Sequence, residues 1–140
     1  MTTLEESDID SNPKKAHGAL KAPMNASPTS AIIEMNAVMA GGAHKYGLYN
    51  FRDTKIDAQT YISAIHRHLA LWEDGEDLDD ESSRSHLAHI MACCALALDS
   101  QHTGMFLDNR SKTGIVKKLL KDCAVTHNKF VEWWDAKQET

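Results

Sequence analysis

Apolar residues recur at spacings of three and four along most of this chain, and that period constrains the fold more than any other feature. Ile32, Met35, Val38 and Met39 form one such stripe, and Tyr61, Ile62, Ile65, Leu69 and Trp72 form a second. Leu87, Ile90, Met91, Cys94 and Leu98 make a third, and Ile115, Leu119, Leu120, Cys123, Phe130 and Trp134 supply a fourth. Seven glycines and three prolines in 140 residues leave little material for a turn-rich β-sandwich or barrel. The expectation is an all-α, compact bundle of about four helices.

Local signals set the expected boundaries. Residues 1–26 are polar, carry Pro13 and Pro23, and read as a flexible N-terminal arm; residues 27–140 read as a single helical domain. Ser27-Pro28 is a helix start and Gly41-Gly42 the expected stop. Between Gly41 and Asp57 the period is poor, so a structured loop is expected, packed down by Tyr46, Tyr49 and Phe51. A second helix over about 57–74 ends at Gly75, and Ser82 or Ser83 can cap a third. The last helical region runs over about 111–137.

Charge and cysteine content exclude several functions. A net charge of −5 opposes a nucleic-acid surface, which needs a basic footprint. Apolar runs fall short of the ~20 residues that span a bilayer, and the acidic start lacks a targeting pattern. Cys93, Cys94 and Cys123 cannot all pair and form no CxxC, which fits a reducing cytoplasm. Adjacent Trp133 and Trp134 cannot both face one core, so a homo-oligomer is expected.

The candidate chemistry lies in two places. Four of the eight histidines, His66, His68, His86 and His89, flank an acidic turn containing Glu73, Glu76, Asp77, Asp79, Asp80 and Glu81. Antiparallel helices joined there bring imidazoles and carboxylates together, a donor set suited to Mn²⁺, Mg²⁺ or Zn²⁺. His68 falls on the inward side, and His66 points roughly 160° away. The plainer alternative is a solvated turn whose carboxylates hydrogen-bond the histidines. The second place is Lys45-Tyr46-Gly47 with Asn50-Phe51-Arg52, where the cations match phosphate oxygens and the aromatics can stack on a base. Its plainer alternative makes Tyr46 and Phe51 core plugs and pairs Arg52 with the acidic turn.

In this order, Gly42-Ala43-His44-Lys45-Tyr46-Gly47 with Asn50-Phe51-Arg52, then Arg67-His68-Leu69, Gly75-Glu76, Asp79, Glu81-Ser82 and His86, resemble a known family. It is the phage and prophage family of dATP/dGTP diphosphohydrolase N-terminal domains, related to the MazG-like all-α pyrophosphohydrolases. The likeness covers about residues 21–100, with Phe51 where tryptophan is usual and Ser83 where glycine is usual. It implies hydrolysis of a purine deoxynucleoside triphosphate to the monophosphate and pyrophosphate with Mg²⁺ or Mn²⁺. Carried over, Glu76 and Asp79 become the catalytic carboxylates, and Glu76, Asp79, His86, His68 and Glu34 the metal candidates. Lys45, Tyr46, Asn50, Arg52 and Arg67 become the substrate-binding set. A protein that binds a nucleotide without cleaving it is the alternative function, and an interaction scaffold the third.

Overall fold

The computed structural model describes residues 11–139. Residues 1–10 of the expected arm, and Thr140, lie outside the described residues. Among the described residues, six helices and two short strands follow in order: α1 (Pro13–Gly18), α2 (Thr29–Tyr46), α3 (Asn50–Asp53), β1 (Ile56–Asp57), α4 (Ala58–Glu73), α5 (His86–Thr103), β2 (Phe106–Leu107) and α6 (Val116–Gln138). The all-α expectation holds. Among the described residues no helix is long and apolar enough to cross a membrane.

The centre is a helical hairpin. The α4 and α5 helices pack along each other, and α2 and α3 pack on α5. Its open end is closed by β1 and β2, which pair in parallel with Ile56 opposite Phe106 and Asp57 opposite Leu107. Asp57 caps α4, accepting from the amides of Gln59 at 2.8 Å and Thr60 at 3.2 Å, and the Asn109 side chain donates to it at 2.9 Å. The Asn109 contact first, then the Thr60 amide, holds the Asp57 carboxyl below its ordinary pKa. Asp57→Ala is therefore expected to lower Tm by roughly 5 °C at neutral pH. A depressed folded-state pKa gives stability that is present above the unfolded value, ~3.9, and lost as pH falls through the folded one. The Tm deficit of the variant should accordingly shrink in scans below about pH 4.

The buried core is small: Ile56, Ala58, Ala88 and Ala92, with His86 and Ser100 as buried polar residues. On α5 the inward stripe is Ala88, Ala92, Leu96 and Ser100, not Leu87, Cys94 and Leu98, which are exposed. Alanines let neighbouring helices approach, so the small face turns inward although the leucine stripe is the more hydrophobic. Leu69 and Trp72 of α4 also stay exposed, leaving Tyr61, Ile62, Ile65 and His68 on its inner side.

Three boundaries differ from expectation. The α2 helix runs through Gly41-Gly42 and stops at Gly47, whose φ of 102° favours glycine. It starts after Pro28 with no side-chain cap, so Ser27 does not serve. The expected loop therefore becomes the last turn of α2, then α3 and β1; Tyr46 and Tyr49 are exposed, and Phe51 alone of the three aromatics is partly covered. The fourth stripe does not join the core: every residue of α6 is exposed.

Candidate metal centre and adjoining cavities

The turn between α4 and α5 is fastened by its own backbone. Gly75 takes a φ of 99° to leave α4, Leu78 and Ser85 form an antiparallel bridge, and the Asp79 amide donates to the Arg84 carbonyl at 2.8 Å. Ser83 sits at a φ of 54°, a left-handed conformation that favours glycine, at the place where the family resemblance leads one to expect glycine. Ser85, not Ser82 or Ser83, caps α5 by accepting from the Leu87 amide. Ser82 is instead spent on Asp79, to which its amide donates at 2.9 Å and its hydroxyl at 2.8 Å.

Fastened this way, the turn holds Asp79 over two histidines. One ligand atom each from His68, Asp79 and His86 lies within 4.8 Å of the others. His68 Nδ1 and His86 Nδ1 are 2.8 Å apart, and Glu76 Oε1 lies 3.0 Å from His86 Nε2. An ionised Glu76 only accepts, so His86 Nε2 carries a proton and donates it. With His86 neutral, its Nδ1 keeps a lone pair, and the proton between the two Nδ1 atoms belongs to His68. Exchanging that proton for a cation leaves two imidazole lone pairs converging on one point. Nitrogen donors ~2.1 Å from an ion and at a right angle lie ~3.0 Å apart, close to the separation seen.

The third histidine completes the group. The His89 ring stacks on His68, with centroids 4.5 Å apart and planes 13° apart. Its Nε2 lies 2.8 Å from Ser82 Oγ and 3.8 Å from Asp79 Oδ2. The Ser82 proton is committed to Asp79, so His89 Nε2–H donates to the Ser82 oxygen, forming a chain that ends on the carboxylate. Burial lowers the pKa of His68, with neighbouring His89 and His86 adding to the effect. Burial also lowers His89, against the pull of Asp79. Burial works against ionised Asp79, but the Ser82 hydrogen bonds outweigh it and hold the carboxyl below its ordinary range. Neutral imidazoles beside an ionised carboxylate are the protonation states that bind a metal.

The remaining candidates are distributed around this centre. Lys45 at the end of α2 pairs with Glu81, which raises the lysine pKa. Together with Arg84, Ser82 and His89 these two line one cavity. Asn50 and Tyr46 line a second, more apolar cavity between α2 and α5. Arg52 is not paired with the acidic turn: it forms a two-pronged contact with Asp99 of α5, at 3.0 and 2.9 Å, and so ties α3 to α5. Arg67 donates to Ser63 Oγ one turn back on α4, at 2.8 Å. Glu34 is exposed on α2 and lies outside the His68–Asp79–His86 group. Glu76 reaches the far nitrogen of His86, the place of a carboxylate that orients a ligand. His66 is exposed, as its phase on α4 predicts. Arg84 carried no signal in the sequence, Ser82 was expected only as a helix cap, and His89 was expected only as one of the four clustered histidines, its three-residue spacing from His86 being the available signal.

The family described as dATP/dGTP diphosphohydrolase, N-terminal, matches residues 11–110. The chain belongs to that family. A dATP/dGTP diphosphohydrolase of Salmonella phage PMBT28 is 35% identical over 69 residues, 49% of this chain and 23% of that protein. The chain thus spans about a quarter of the length of this curated relative. No solved structure matches the chain. The match to the dATP/dGTP diphosphohydrolase N-terminal family takes in the whole candidate metal centre and both cavities, and it ends before α6.

Proposed function

We propose that this chain hydrolyses dATP and dGTP to the monophosphate and pyrophosphate, using a divalent cation held by His68, Asp79 and His86. The observation that carries the reading is the convergence of two imidazoles and a carboxylate, beside a cavity lined by Lys45 and Arg84. Two nitrogen donors favour Mn²⁺ over Mg²⁺, which prefers oxygen. When bound, the cation would lower the pKa of a water and neutralise triphosphate charge.

The chain's own residues divide the rest of the work. Lys45 and Arg84 donate to phosphate oxygens, with Lys45 exchanging Glu81 for substrate. Glu76 accepts from His86 Nε2–H and keeps the opposite nitrogen free of a proton. Ser82 and His89 hold Asp79 ionised and in place. Arg52, held on Asp99, positions Asn50 and Phe51 rather than the phosphates.

The test is incubation of the pure protein with each of the four dNTPs and Mn²⁺ or Mg²⁺, followed by chromatography of the products. Deoxynucleoside monophosphate and pyrophosphate from dATP and dGTP are expected. No product above an Asp79→Ala control overturns the reading, and a nucleotide that stabilises the protein in EDTA and is recovered intact favours sequestration.

The helix outside the family match has a separate use. Exposed Val116, Leu119, Leu120, Phe130, Trp133 and Trp134 lie along α6, which buries no residue of its own. Lys117, Lys118 and Lys121 stand at its start and Glu132, Asp135 and Glu139 at its end, against the helix dipole. We infer that α6 packs antiparallel on α6 of a second copy, which covers the apolar face and sets each charged end against its opposite.

A further inference from the structure

We propose that the apolar cavity between α2 and α5 is the slot for the nucleotide base, and that Gly42 is a glycine because a side chain there would close the slot. The proposal rests on the nucleotide reading above. The cavity has a volume of about 200 Å³, and its walls include Val38, Met39, Phe51, Tyr61, Cys93 and Leu96. An apolar cavity of ~150 Å³ takes a benzene ring, so this one has room for a larger flat heterocycle. Phe51 and Tyr61 offer ring surfaces, and the Asn50 amide offers both a donor and an acceptor to a base edge.

The slot opens toward the charged part of the site. Gly42, Val38, Tyr46 and His89 line both this cavity and the one that carries Lys45 and Arg84. Of these four, His89 also stacks on His68 and contacts Ser82, which ties the shared wall to the candidate metal centre. One nucleotide can therefore lay its uncharged end among apolar side chains and its phosphates among cations and the metal ligands.

Gly42 agrees with a space kept for a ligand: like Gly41 it has no conformational or packing need for glycine, and of the two it is Gly42 that borders both cavities. It stands within α2 on the side of Met35 and Val38, where glycine is disfavoured relative to alanine. Its backbone is not in the positive-φ region that calls for glycine. Nor does close packing require it, because a Cβ built there meets no atom within 4 Å. Neither conformation nor contact explains the residue. Its place at the junction of the two cavities does.

The test compares wild type, Gly42→Ala and Gly42→Leu, with Mn²⁺ present, for binding of a non-hydrolysable dGTP and of tripolyphosphate, which has no base. Gly42→Leu is expected to weaken the dGTP analogue at least tenfold and Gly42→Ala about threefold, while both change tripolyphosphate less than twofold. Equal loss of both ligands, or of neither, overturns the slot while leaving the nucleotide reading intact. Failure of wild type to bind either ligand removes the nucleotide reading itself. Should Gly42→Leu not fold, alkylation of wild-type Cys93 decides. The dGTP analogue should slow it at least fivefold and tripolyphosphate should not, with exposed Cys94 and Cys123 as internal references. Cys93 alkylation unaffected by the dGTP analogue overturns the slot.

Discussion

Asp79→Ala is expected to lower kcat/KM for dGTP by roughly 10³-fold while leaving the fold in place. Among the described residues Asp79 is the carboxylate grouped with both His68 and His86, so its loss removes the negative charge that the proposed site offers a divalent cation between the two imidazoles. The fold should survive because the backbone fastens the turn, through the Leu78–Ser85 bridge and the Asp79 amide to Arg84 carbonyl bond, and neither uses the side chain. Glu76→Gln should be milder, weakening Mn²⁺ about 10- to 100-fold, as is usual when a residue that orients a ligand is altered. Steady-state kinetics and Mn²⁺ titration separate the two variants. An Asp79→Ala protein with wild-type kcat/KM would show that the cluster is not the catalytic centre.

The second large effect is expected at α6. On the proposed α6 pairing, replacing Trp133 and Trp134 together by serine should convert a dimer to monomer in light scattering, with a fall in helical signal. A helix of 23 residues with cations in its first turn and no side-chain cap has little intrinsic support. Phe130, Trp133 and Trp134 lie against one another with ring centroids 5.8 to 6.3 Å apart, and Lys137 covers one face of Trp133. The cluster is thus half made within one chain and exposed on its other side, as a surface awaiting a partner would be. Wild type that is monomeric at all concentrations would remove the proposed pairing. High salt should weaken the dimer if Lys117, Lys118 and Lys121 meet Glu132, Asp135 and Glu139 across it.

The helices of the hairpin were legible because their apolar period is regular and because Gly75 stops α4. The inward phase of His68 and the outward phase of His66 followed from the same period. Period placed Ile90 and Met91 of α5 correctly on a partly covered side but also turned Leu87, Cys94 and Leu98 inward, since alanines that allow close approach carry less hydrophobicity than leucines that do not. Gly41-Gly42 read as a stop because two glycines are poor helix formers; tertiary packing of Met35, Val38 and Met39 carried α2 past them. The β1–β2 pair is two residues long on each side, too short for any alternation to register. Partners distant in sequence were the least legible. Nothing local indicates that Arg52 meets Asp99 rather than the acidic turn. For Glu76, spacing placed it near the histidines, but only the three-dimensional arrangement put it on the outer nitrogen of His86. The α6 stripe was plain in the sequence, but its exposure was not, because a period marks a face without saying what lies against it.

The central claim is that His68, Asp79 and His86 hold one catalytic cation. A crystal grown with Mn²⁺ and a non-hydrolysable dGTP, measured at the manganese edge, tests it most directly. One anomalous peak bound by all three residues is expected, with the triphosphate beside Lys45 and Arg84. A peak elsewhere, with the His68–His86 hydrogen bond still in place beneath the bound nucleotide, would contradict it.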